Sequence, residues 1–380
     1  MMEIEQRWYR EDVGWKTISG KSSDRSTVNI VIVFASIKVL KNDQLFPALV
    51  ADYPTAEILI CSTAGEIADI QVFEDSLSLV AIGFDHTTVS VASVHIEDFE
   101  NTFQAGYDLA LQLPAENLKS VLVISDGQQV NGSELMLALN EFLPAATLVT
   151  GGMAGDGERF QSTLVGLNEI PVSGLIAAIG FYGDNIQVSS GSVGGWDAFG
   201  VERLITRSDK NILFELDGKP ALDIYKLYLG KYAAELPVSG LLFPLSIRVS
   251  ASAAPLVRTI LSVNEQDKSL TFAGNMPEGA YAQLMKANHD RLIDGAGAAA
   301  EECLSGSTRA PQLALLISCV GRNLVLGQRI EEEVEIVRSV FGEETIMTGF
   351  YSYGEFAPAV ASSRCELHNQ TMTITTISEV

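Results

Sequence analysis

The residue types suited to holding a ligand gather in one stretch, residues 312–374. Cys319, Gly321 and Arg322 lie in SCVGR, Tyr351, Tyr353, Gly354 and Glu355 in YSYGE, and Cys365, His368 and Asn369 in CELHN. A cysteine that ends an apolar strand and opens a loop can be a soft metal or haem ligand, a redox thiol, or simply a packed thiol. Arg322 can grip a ligand carboxylate through two parallel hydrogen bonds, or pair with Glu355. Tyr351 and Tyr353 face the same side if the chain is extended. An aromatic pair beside a glycine suits a flat or amphipathic ligand, and core packing with satisfied hydroxyls is the alternative. His368 is the candidate metal ligand, as a haem axial donor, with Cys319 as the other possible donor. Of the remaining histidines, His86 is placed in a turn, His95 in a strand and His289 facing solvent on a helix.

Several kinds of chemistry lack their residues. No G-x-G-x-x-G opens a helix after a strand, and no G-K-[ST], G-x-S-x-G, H-E-x-x-H or DxD cluster is present. Four histidines leave few options for a histidine-based triad. Nothing therefore calls for an enzyme, although a thiol-dependent reaction at Cys319 is a third possibility. Four widely spaced cysteines form no C-x-x-C pair, and free thiols in a reducing compartment are expected. A net charge of −23 argues against nucleic acid and against anionic membrane surfaces. No apolar run is long enough to insert in a membrane, and MMEIEQRWYREDVGW lacks the apolar core of a signal peptide. A cytoplasmic protein is expected, so the N-x-S/T sites at Asn131 and Asn369 carry no glycosylation meaning.

The elements that would carry these residues recur. At 380 residues with 47% hydrophobic content, two domains are the default. Three continuous apolar runs, IVIVFAS, VLVISDG and LLISCVG, read as strands buried on both faces. Each leads into a helix and returns as a strand ending in CSTAGE, TGGMAGD or TGFYSYGE. Each is followed by β-rich sequence: SLSLVAIGF, GLIAAIGF and TMTITTI. Gly65-Glu66, Gly155-Asp156 and Gly354-Glu355 occupy matching places, where glycine suggests positive φ or close backbone approach. A tight turn with a capping carboxylate is the plainer reading of these corners. Residues 1–26 are expected to be a loose arm, residues 41–50 a helix and residues 281–303 a helical stretch weakened by Gly295 and Gly297. The fold class is α/β: mixed β-sheets covered by helices, built from repeated strand–helix–strand units. It divides into domains at 27–218 and 219–380.

CSTAGEI, GGMAGDG, SCVGRN, GFYSYGEFAP and LHNQTMTITTISE resemble the FIST family, sensory modules with paired N- and C-terminal parts. The likeness runs from about residue 28 to the end. It implies a small-ligand input domain for signal transduction, linked to histidine kinases, chemoreceptors or cyclic-di-GMP enzymes. No output domain occurs in this sequence, so a separate signalling partner is expected. One stand-alone branch of the family binds haem and senses nitric oxide, which makes haem the leading cofactor. A small metabolite such as an amino acid, or a ligand-free scaffold docking a kinase, is the alternative.

Overall fold

The computed structural model describes residues 2–20, 24–250, 253–305, 309–360 and 363–380. The chain starts with an antiparallel hairpin, β1 (Glu3–Arg10) and β2 (Gly14–Gly20). The expected loose arm is thus a pair of strands among its described residues. Its partner is distant in sequence: β1 lies along a strand at Ser76–Gly83 and buries Ile4, Gln6 and Trp8.

The first unit follows as β3 (Ile30–Ala35), α1 (Ile37–Leu40), α2 (Leu45–Asp52) and β4 (Glu57–Ser62). The one helix expected over 41–50 is two short ones. Ser36 caps the first by accepting a hydrogen bond from Val39 N, and residues 41–44 make a turn. Then come β5 (Glu66–Ala68), β6 (Gln71–Phe73), β7 (Ser76–Gly83) and β8 (Thr88–His95). The second unit is α3 (Thr102–Gln112), β9 (Leu118–Ser125), α4 (Gly132–Phe142), β10 (Leu148–Met153), β11 (Val165–Leu167), β12 (Leu175–Tyr182) and β13 (Ile186–Val193).

The chain then builds a separate sheet. It comprises β14 (Asp197–Asp209), β15 (Ile212–Leu216), β16 (Lys219–Pro220), β17 (Leu245–Arg248), β18 (Leu256–Arg258), β19 (Ile260–Asn264), β20 (Ser269–Phe272) and β21 (Tyr281–Lys286). Helix α5 (Ala221–Leu229) closes its own core, in which Leu213, Leu222, Tyr225, Leu270 and Phe272 are buried. The third unit returns with α6 (His289–Leu304), β22 (Leu313–Cys319), α7 (Val320–Leu326), α8 (Ile330–Phe341), β23 (Ile346–Ser352), β24 (Gly354–Pro358), β25 (Cys365–His368) and β26 (Met372–Glu379). The helix expected over 281–303 therefore begins later. Residues 281–286 alternate in burial and pair with β14 and β17.

Among the described residues the units form three 6-stranded sheets with one plan. β3–β4, β9–β10 and β22–β23 are parallel pairs. β7, β12 and β26 run antiparallel beside β3, β9 and β22. The strand after each glycine–acid corner leaves its own sheet: β5 pairs with β23, β24 with β10 and β11 with β4. The hairpin returns also cross, β8 onto β12 and β13 onto β26, and β1 takes the corresponding place on β7. The units are thereby locked in a ring.

The alternation of each strand explains the layering. Ile30, Ile32 and Phe34 of the first unit meet Leu122 and Ile124 of the second and Leu313, Leu315 and Ile317 of the third in one central core. Phe34 stacks on Phe350 at 4.8 Å there. The opposite faces are covered by helices. Val31 and Val33 pack under α1 and α2, and Val121, Val123, Ala314 and Leu316 lie in the layer under α3, α4, α6 and α8. Both faces being buried is why these strands read as unbroken apolar runs.

Candidate functional site

The three glycine–acid corners meet where the sheets interlock. Ala64 N donates to Tyr351 O at 2.8 Å, Gly155 N to Ser62 O at 2.9 Å and Tyr353 N to Met153 O at 3.2 Å. The glycines allow this approach. Gly65 has φ +130°, and a Cβ on Gly155 would sit 3.0 Å from Ala64 N.

At two corners the acid is held by donors of its own unit. Glu66 is fully buried and accepts from the Thr63 hydroxyl, Ser76 N (3.1 Å) and Ser76 Oγ (2.7 Å). Glu355 is equally buried and accepts from Ser352 Oγ (2.8 Å), Thr371 N (3.2 Å) and Thr371 Oγ1 (2.8 Å). Burial pushes each carboxyl up to about 8, outweighing hydroxyl and amide donors that favour the charged form.

The second-unit corner is built differently. Met153 stands where the others have Thr63 and Ser352. Residues 157–164 are inserted before β11, so Asp156 faces a loop. Its carboxylate accepts from Gln161 N (3.2 Å), Ser162 N (3.1 Å) and the Tyr353 hydroxyl. Phe160 N donates to the same hydroxyl at 3.2 Å, and the Phe160 ring stacks on Tyr353 at 4.5 Å. Phe160 has φ +49°, a strained conformation for an aromatic residue.

Beside this corner lies a cavity of about 610 Å³. One wall is the β9–α4 loop with Gln128, Gln129 and Asn131, together with Met153, Phe160 and Tyr353. The other comes from the separate sheet, with Ile260, Leu261 and Phe272, and from the helical turn Val238–Leu242 before β17, with Leu241, while Leu324 of α7 closes the third side. Asn131 is spent as the cap of α4, accepting from Ser133 N and Glu134 N, and its amide meets Asn275 at 3.2 Å. A second cavity of about 350 Å³ lies across the inserted loop, lined by Glu66, Glu74, Asp75, Arg159 and Asn323. Glu158 and Leu324 line both.

Of the residues singled out from sequence, Tyr353 lines the larger cavity. The others lie in the packed interior behind the corners. Arg322 is fully buried and pairs with Glu333 at 2.8 Å, not with Glu355. It also donates to Gly194 O and Leu292 O, both at 2.6 Å. The Tyr351 hydroxyl donates to the other Glu333 oxygen at 2.6 Å. The two tyrosines thus serve different partners, because the chain turns between β23 and β24. Gly354 packs so closely that a Cβ would lie 2.7 Å from Leu367, and one on Gly321 would lie 2.4 Å from the Gln370 side chain. The Cys319 thiol is buried, and burial holds it protonated. Asn369 is fully buried and its amide has no hydrogen-bond partner among the described residues.

Neither proposed haem donor fits that role in this arrangement. His368 Nε2 lies 3.0 Å from Ala357 O, the ring is buried, and burial with Arg258 nearby lowers it to about 4. Neither His368 nor Cys319 lines either cavity. Among the described residues no group of three His, Cys, Asp or Glu side chains is arranged to hold a metal ion.

Sequence reasoning missed Phe160 and the whole wall from the separate sheet. The available signal was the departure of the second unit from its siblings: a methionine in place of the hydroxyl, then GERFQST before the next strand.

Residues 29–219 match the FIST N domain and residues 221–358 the FIST C domain. The chain belongs to the FIST family. FIST domains are associated with sensing in signal transduction. The boundary between the matched parts falls inside the separate sheet, so both parts of this FIST protein contribute to the cavity. No curated protein matches the chain. Among solved structures, it is similar to a cyanuric acid hydrolase from A. caulinodans, 8% identical over 100% of this chain and 99% of that one, with a TM-score of 0.39. A second cyanuric acid hydrolase structure, described as an evolutionary innovation by structural concatenation, is also 8% identical. Its match covers 100% of both chains with a TM-score of 0.35. No helix among the described residues is long and apolar enough to cross a membrane.

Proposed function

We propose that this FIST protein is a ligand-sensing input module whose small-molecule ligand occupies the cavity beside the Asp156 corner and whose output is read by a separate signalling protein, such as a histidine kinase. The observation that carries this reading is the cavity itself. Its volume of about 610 Å³ is of the size that encloses a small molecule, and its wall is mostly apolar with a few amides. It sits between the interlocked units and the separate sheet, so an occupant touches both bodies. The inserted loop, held by Tyr353, is the element an occupant would move, and its residues 158–162 are exposed for a partner to read.

Thermal unfolding against a panel of metabolites tests the reading. A ligand should raise the melting temperature progressively with concentration. Leu261→Trp, at a wall position that is already 44% exposed, should abolish that rise without unfolding the protein. No stabilisation by any compound, or stabilisation untouched by Leu261→Trp, would remove the cavity as the sensing site. Neither donor named for the haem and nitric-oxide version, His368 or Cys319, lines the cavity. Haem titration followed by absorption spectroscopy should give no Soret band that depends on His368 or Cys319.

A further inference from the structure

We infer that the cavity takes an aromatic amine, a flat apolar body carrying a protonated nitrogen, and discriminates against carboxylates. This rests on the reading of the cavity as the ligand site and names the chemistry of its ligand.

The flat body follows from the aromatic stack. The Tyr353 ring is covered on one side by Gly127, where a Cβ would come within 3.0 Å, and it stacks with Phe160 at an interplanar angle of 17°. Phe160 is 39% exposed and lines the cavity, so a ring placed there extends an existing stack. Val238, Leu241 and Leu261 supply further apolar surface in the lining.

The charge follows from what the wall contains. Glu158 is its carboxylate, and no Lys or Arg is among the described residues lining it. Two guanidinium groups lie close by and are already engaged. Arg258 is behind Gly274, with Nη1 donating to Leu367 O at 2.9 Å and Val257 O at 3.2 Å, and Nε to Asn275 O at 3.4 Å. Arg159 lines the other cavity and lies 3.8 Å from Asp156. A protonated nitrogen would meet Glu158 and the exposed Phe160 ring, both favourable to a cation. A carboxylate would meet Glu158 and apolar side chains, with its water shell unreplaced. The protein's net charge of −23 biases encounter the same way.

Three probes of one shape separate these contributions: tryptamine, indole and indole-3-acetate, titrated calorimetrically into the full chain. Tryptamine should bind tightest, indole next and indole-3-acetate weakest. The margin of amine over indole should be roughly two- to fivefold, the size of a partly exposed ion pair. Glu158→Gln, at an exposed position, should erase that margin. Indole-3-acetate binding as tightly as tryptamine, with the binding lost in Arg258→Met, would overturn the inference and assign the site to anions. An amine-to-indole ratio unchanged by Glu158→Gln would overturn it as well. If none of the three binds while a panel compound does so in a Leu261→Trp-sensitive way, the aromatic-amine class falls and the cavity reading stands. If no compound binds, the cavity reading falls first.

Discussion

The acids of the first and third corners are taken up by hydroxyls and an amide of their own units, and that of the second reaches outside its unit. All three put a glycine and an acid where the sheets interlock. At Glu66 and Glu355 a hydroxyl three residues earlier and a second hydroxyl with its own amide consume the carboxyl. At Asp156 the early hydroxyl is replaced by Met153, and the acid instead fastens an inserted loop through Tyr353. The difference teaches how a repeated scaffold stops repeating: one substitution and one insertion turn the Asp156 acid to a loop beside a cavity of about 610 Å³, while a smaller cavity of about 350 Å³ runs along Thr63, Gly65 and Glu66 of the first corner. It also moves the candidate site away from the third unit, where the sequence suggested it. That unit lends Tyr353 and Leu324 to a cavity seated on the second.

The comparison can be broken hardest from the third unit. Glu333 anchors Arg322, Tyr351 and Ser318 inside the third unit, and the pair with Arg322 is completely buried. Glu333→Ala should destabilise by about 3–5 kcal/mol, because it leaves a buried guanidinium without its counter-charge. A loss below about 1 kcal/mol in chemical denaturation would show that the interior there is not as tightly sealed.

The sealed carboxyls should also show in pH dependence. Each rises from 4.5 to about 8 on folding. Between those values the folded state binds more protons than the unfolded chain, so this contribution is full below pH 4.5 and is lost as pH rises through 8. Glu66→Gln and Glu355→Gln should each flatten that decline, by on the order of 3 kcal/mol between pH 5 and 9. Denaturation midpoints across that range, wild type against each variant, check it. Parallel curves would mean that the carboxyls ionise in place.

The Asp156 corner should be softer. Tyr353→Phe removes the hydroxyl that holds Asp156 and Phe160 N, and should cost about 1–2 kcal/mol. It should also speed amide exchange in residues 157–162 while leaving β9 and β10 unchanged. Uniform exchange across both regions would argue against a local clasp.

The smallest effect on stability is expected at Phe160. Phe160→Gly relieves a left-handed backbone, worth about 1 kcal/mol, and forfeits a stacked pair of similar size. Stability should stay within about 1 kcal/mol of wild type while ligand-induced stabilisation is lost. If stabilisation persists, the stack has no part in holding the ligand.

Much of the architecture was legible because it is local. IVIVFAS, VLVISDG and LLISCVG show strands covered on both faces, and the returning CSTAGE, TGGMAGD and TGFYSYGE expose the repeat. What escaped notice depends on distant partners. Residues 3–10 look like a charged arm until β7 is laid beside them. Arg322 and Glu355 look like neighbours in a site, yet α8 brings Glu333 to the guanidinium first. Tyr351 and Tyr353 are two apart, but a turn between two sheets sends one hydroxyl to α8 and the other to the second unit.

The sequence by itself determined that the chain is a threefold strand–helix–strand repeat with glycine–acid corners, because apolar periodicity and glycine placement act through the backbone within each segment. Tertiary structure alone decided which acids are sealed and where space remains. That outcome depends on which strand crosses to which sheet, and on the segment of residues 197–286 standing over the corner that carries the insertion.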